Sequence, residues 1–143
     1  MSTRTPHRRS LAGLVLTAAI IELTLTTAYI HYSLGGLLFT LNAAGYAALA
    51  LILALTSAYP VGLVGRFCWL PRVGLGGYTL LTIGAYLVMG PFFSLGWIAK
   101  AVEVAILTLL TADAIRQYGS LAGFARAALA SVPGPRPPQP ARP

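Results

Sequence analysis

Residues Phe92–Ala114 read FFSLGWIAKAVEVAILTLLTADA, a 23-residue apolar run interrupted by Lys100 and Glu103, with Asp113 near its end. At 1.5 Å rise per residue, a helix of this length crosses a hydrocarbon core about 30 Å thick. Each charge inside it costs roughly 2.5–3.5 kcal/mol at mid-membrane, so Lys100 and Glu103 need partners. Three residues apart, they lie on one helix face and can touch. Lys100 could instead snorkel its ammonium group to the interface.

The rest of the chain agrees with a bilayer solvent. Of 143 residues, 57% are hydrophobic and 9% are charged, where a soluble domain carries about 25% charged residues. The net charge of +7 does not point to nucleic acid, because nine of the ten basic residues lie in the tails and one central loop. There they act as topology signals. A single cysteine, Cys68, excludes an intrachain disulfide and a thiolate metal cluster. The two histidines, His7 and His31, do not make a helical pair of haem ligands, since His7 lies in the tail. HExxH, Walker A and GxSxG patterns are absent. Gly74-Leu75-Gly76-Gly77 lacks dinucleotide-fingerprint spacing and reads as a helix entry or close-packing surface. No catalytic residue, metal site or cofactor is therefore expected, and the chain reads as non-enzymatic.

Four spans emerge, at about residues 10–30, 34–58, 73–90 and 92–114, within a transmembrane domain of residues 10–115. Residues 1–9 form a basic N-terminus holding Arg4, Arg8 and Arg9. The first apolar run carries Glu22 and is followed by further spans, so it reads as a retained helix rather than a cleaved signal peptide. His31-Tyr32-Ser33 forms an uncharged turn that leaves His31 at the interface, and Tyr59-Pro60 ends the second span. The loop from Val61 to Arg72 holds Arg66 and Arg72, and Met89-Gly90-Pro91 makes a tight uncharged connection. Residues 116–143 form a basic, proline-rich tail, with a short interfacial helix and then disorder from Pro133. Near the inner end of the last span, Asp113 is expected to meet Arg116 or water.

Orientation follows from the positive-inside rule. The predicted fold is an all-α polytopic membrane protein with four transmembrane helices in a bundle and both termini cytoplasmic. With that topology Glu22, Asn42 and Glu103 each lie about 12 Å below the outer surface, and Lys100 about 7–8 Å below it. These four residues form the expected intramembrane polar cluster, supported by Thr26, Tyr46, Thr82 and Tyr86. Lipid offers them no hydrogen bonds, so all are expected to face the bundle interior.

Glu22, Thr26 and Thr27, followed by Ser33 and Gly35, resemble the first helix of the small multidrug resistance transporters. Those are four-helix proteins whose membrane-embedded glutamate exchanges protons for cationic drugs. The resemblance covers fourteen residues and does not extend to the Lys100–Glu103 pair. More broadly, the chain is similar to four-span bacterial proteins of GC-rich genomes, which implies a bacterial inner membrane. Two functions stand as expectations. One is a non-enzymatic membrane protein whose polar belt specifies helix packing or a subunit contact. The other is a proton-coupled carrier of small molecules or cations that uses Glu22 with Lys100 and Glu103. Expected partners are the lipid bilayer and a second copy or a larger membrane complex, and not nucleic acid.

Overall fold

A computed structural model describes residues 10–59, 61–90 and 92–131, apart from the side chains of residues 63 and 66. The basic N-terminus (1–9), Arg66 as a side chain and the proline-rich tail lie outside the described residues. Among the described residues the chain is helical: α1 (Leu11–Leu34), α2 (Leu37–Ala58), α3 (Gly62–Arg66), α4 (Leu70–Met89), α5 (Ser94–Tyr118) and α6 (Leu121–Ser131).

The helix ends follow local chemistry. Ser10 caps α1, its hydroxyl accepting from the Gly13 amide at 3.2 Å. Helix α1 does not stop at Ile30 as the sequence suggests. It continues one turn to Leu34, because the reversal into α2 is made by Gly35 and Gly36 at φ +72° and +82°. Side chains other than glycine rarely adopt two such residues in succession. Helix α4 likewise starts at Leu70 rather than Val73, since Pro71 falls in its first turn, where the missing amide hydrogen is not needed. Gly119, left-handed at φ +76°, closes α5 four residues beyond Ala114 and lets α6 begin.

Three helices, α1, α2 and α4, are long and apolar enough to cross a bilayer. Helix α1 packs on α2 and α5, and α4 packs on α2 and α5, so the four long helices close a ring. Ile20, Tyr46, Leu53, Leu75 and Ile106 fill its centre. Outside the ring large apolar side chains are bare, with Leu38 76% and Val88 83% exposed. Soluble monomers do not display apolar surface on this scale, and together with the three long apolar helices this gives the chain the character of a membrane protein. Helix α6 lies against α5 and buries no residue of its own.

Candidate functional site

Helix α5 turns Lys100 and Glu103 inward on one face, behind the small residues Gly96 and Ala99. Glu103 has no exposed surface, and Lys100 retains only 7%. The Lys100 Nζ donates to both carboxylate oxygens at 2.6 Å and approaches the Thr82 carbonyl at 3.4 Å. It also lies 5.4 Å from the centroid of the Tyr86 ring. Both of its carboxylate bonds hold the Lys100 side chain within the ring of helices rather than on its outer face.

Three other helices complete the shell around Glu103. From α4, the Thr82 hydroxyl lies 3.2 Å from Oε2. From α2, the Tyr46 hydroxyl lies 2.7 Å from Thr82 Oγ1. When Tyr46 donates to Thr82, the single Thr82 proton is shared between the Thr79 carbonyl at 2.9 Å and the carboxylate at 3.2 Å. From α1, His31 Nε2 lies 3.6 Å from Oε1. The other imidazole nitrogen, Nδ1, is 2.8 Å from the Thr27 carbonyl, which can only accept. Nδ1 therefore carries a proton, and in the neutral ring Nε2 presents its lone pair to the carboxylate. One more proton placed between Nε2 and Oε1 would convert this contact into an ion pair.

Glycines set the close approaches. A Cβ at Gly96 would run into the Tyr86 ring, and one at Gly45 would run into Tyr78. The bare backbone at Gly96 thus lets Tyr86 lie beside Lys100, while Phe92 and Trp97 hold the ring edge-on. A crevice of about 330 Å³ descends between the helices to this cluster. His31, Asn42, Tyr78, Thr82, Tyr86 and Lys100 give its polar lining, and its remaining wall is mostly apolar.

Of the residues expected from sequence, the structure brings together Lys100, Glu103, Tyr46, Thr82 and Tyr86. Asn42 stands at the edge of the group. It is half-buried, its backbone carbonyl accepts from Tyr78 at 3.3 Å, and its side-chain Oδ1 is buried with no hydrogen-bond partner. Glu22 and Thr26 are not in the cluster. Both are exposed on the outer face of α1, where the Thr26 hydroxyl bonds only to the Glu22 backbone carbonyl. The expectation that Glu22 faces inward is corrected for a geometric reason. Seven of the 24 residues of α1, including Thr24, Thr27 and His31, form its buried stripe, and Glu22 lies on the opposite side. His31, read from sequence as an interfacial turn residue, is buried and belongs to the site.

Comparison with protein-family models, with curated proteins and with solved structures gives no match. The fourteen-residue likeness to the small multidrug resistance transporters is thus not accompanied by a family match.

A second polar group closes the opposite end of the ring. Asp113 is fully buried and accepts from Arg72 Nε at 2.8 Å, from Arg116 at 2.8 Å and from Gln117 at 2.6 Å. Arg72 also reaches the Cys68 carbonyl at 2.8 Å, and Arg116 lies 3.3 Å from Ser10 Oγ. The expected Asp113–Arg116 contact is present. Arg72, read as a loop charge, adds the link between α4 and α5. Among the described residues no three His, Cys, Asp or Glu side chains gather as metal ligands.

Proposed function

We propose that this is a non-enzymatic, four-span membrane protein, with both termini in the cytoplasm, whose polar cluster fixes how its helices pack. The observation that carries this reading is the burial of Glu103 among groups from different helices. A carboxylate without exposed surface accepts both bonds of Lys100 on its own helix and faces the Thr82 hydroxyl of α4 at 3.2 Å, with the His31 ring of α1 beside it at 3.6 Å. In lipid, helices gain nothing from burying apolar surface against each other, so polar side chains and close packing select the arrangement. Helix α5, with 25 residues, is long enough to be the fourth span. Its charges are the ones that face inward. The test is thermal stability in detergent: Glu103→Leu, which strands Lys100, is expected to lower the midpoint markedly. An unchanged midpoint would remove the packing role.

A proton-coupled carrier is the second reading, favoured by the crevice that reaches His31 and Lys100. On that reading the proton site is His31 Nε2 with Glu103 Oε1, faced by Lys100, Tyr46 and Thr82, and Glu22 takes no part. Proteoliposomes under a pH gradient would then accumulate a lipophilic cation such as tetraphenylphosphonium, and Glu103→Gln would abolish the uptake. The packing reading expects no uptake above protein-free vesicles.

A further inference from the structure

The crevice that descends to Lys100 carries hydrogen-bonding capacity that the packing account leaves unspent. Tyr46, Thr82 and Glu103 form one bonded layer across α2, α4 and α5. Asn42, Tyr86 and Lys100 each stand one turn nearer the α1–α2 and α4–α5 connections on those same helices, and all three line the crevice. The Tyr86 hydroxyl reaches only the Phe93 carbonyl, at 3.4 Å, and the third Lys100 proton only the Thr82 carbonyl, also at 3.4 Å. Both distances exceed the usual limit of about 3.0–3.2 Å. The Asn42 side chain makes no hydrogen bond to a described residue, and its Oδ1 is buried, which leaves the amide nitrogen as the end turned to the crevice. The edges of the opening are apolar: Leu38 and Leu41 on α2, and Leu81 and Met89 on α4, are all exposed.

From this we infer that the crevice binds an uncharged, lipid-soluble ketone or quinone, whose carbonyl oxygen accepts from the layer of Asn42, Tyr86 and Lys100. The donors select the head of the ligand, since each unspent group gives a proton and a carbonyl only accepts. Its oxygen has two lone pairs and takes two of the three donors. Charge selects against ions. Glu103 already neutralises Lys100, so an anion would leave an unbalanced negative charge within the ring of helices. The three donors oppose a cation, so this occupant differs from the one the carrier reading requires. A volume of about 330 Å³ lies at the lower end of small-ligand pockets, and it suits a compact ring with part of a side chain rather than a two-chain lipid. Phe39, Tyr78, Tyr86 and Phe93 offer aromatic surface to such a ring. In a bilayer the exposed edges of α2 and α4 set the opening against lipid, so the compound enters without crossing water. The inference rests on the bilayer reading for that route alone, and Glu103 keeps both of its Lys100 bonds while the ligand is seated.

Photolabelling of the full chain in dodecylmaltoside tests this with benzophenone, an uncharged ketone that cross-links to nearby C–H bonds under near-ultraviolet light. Label is expected in residues 38–42 and 81–89, read by mass spectrometry of the fragments. Octanophenone should compete. Octylbenzene, with a methylene in place of the carbonyl, should need roughly tenfold more at equal mole fraction in the micelle. Octanoate and a two-chain phosphatidylcholine should not compete. Tyr86→Phe and Asn42→Leu each remove one donor without stranding a charge, and at least one of them should narrow the gap between the two competitors to about threefold. Tyr86→Phe keeps the ring and should leave the thermal midpoint unchanged, which separates loss of the site from loss of the fold. Equal competition by octanophenone and octylbenzene would overturn the carbonyl head. Competition by octanoate or by the phospholipid would overturn an uncharged, compact ligand, and absence of label from the two segments would overturn the site. A gap untouched in both variants would overturn the donor layer. All of these readings come from micelles, so they stand or fall apart from the four-span topology, which thiol labelling in cells reports.

Discussion

Removing Lys100 and Glu103 one at a time and then together should give strongly non-additive losses. Lys100→Met takes away the two 2.6 Å bonds to Glu103 and leaves the carboxylate with Thr82 and His31. Glu103→Leu strands the ammonium group between the Thr82 carbonyl and the Tyr86 ring. Breaking one side of a buried pair costs about 3–5 kcal/mol in water-soluble proteins, whereas replacing both sides with apolar groups is often neutral. Snorkelling and proton uptake soften the single losses in a bilayer, to about 2–3 kcal/mol each. The double variant Lys100→Met/Glu103→Leu should return to within about 1–2 kcal/mol of the parent, a coupling of at least about 2 kcal/mol. Denaturant titration in dodecylmaltoside, followed by tryptophan fluorescence, measures all four corners of the cycle. Single losses that add, with a coupling below about 0.5 kcal/mol, would refute the claim that the two groups act as one buried unit.

Other substitutions probe the shell. His31→Leu removes the Thr27 bond and the contact to Glu103, and should cost about 1 kcal/mol in the same titration, less than Lys100→Met. Gly96→Val drives a side chain into the Tyr86 ring and should cost about 1–3 kcal/mol, with the tryptophan spectrum shifting as Trp97 loses its edge contact. Asp113→Leu leaves Arg72 and Arg116 without their shared carboxylate at the opposite end, a loss of about 3 kcal/mol or more by the same measurement.

The physical reasons for what could be read from the chain differ residue by residue. Lys100 and Glu103 were legible as a touching pair because helix spacing alone places i and i+3 on one face. Thr82, Tyr46 and Tyr86 were legible because apolar helices place their few polar groups inward when lipid surrounds them. Glu22 misled because depth along a helix says nothing about direction around it. The face that packs is chosen by neighbours, here by Thr24, Thr27 and His31. His31 is not legible as a site residue while His31-Tyr32-Ser33 reads as a turn, whereas the reversal is set by Gly35 and Gly36. That pair of glycines was the available signal. Arg72 reads as a loop charge when the third span begins at Val73, whereas Pro71 sits in the first turn of α4 and the helix begins at Leu70.

The four-span arrangement with its inward-facing pair is tested most directly by site-specific labelling in intact cells. In a Cys68→Ser background, cysteines at Ser33 and Ser94 lie at exposed positions near the α1–α2 and α4–α5 connections, and one at Ser120 lies between α5 and α6. An impermeant thiol reagent applied from outside is expected to label the Ser33 and Ser94 sites and to spare Ser120 until the membrane is opened. Labelling of Ser120 from outside together with Ser33 and Ser94 would show that α5 does not cross the bilayer. It would contradict the account.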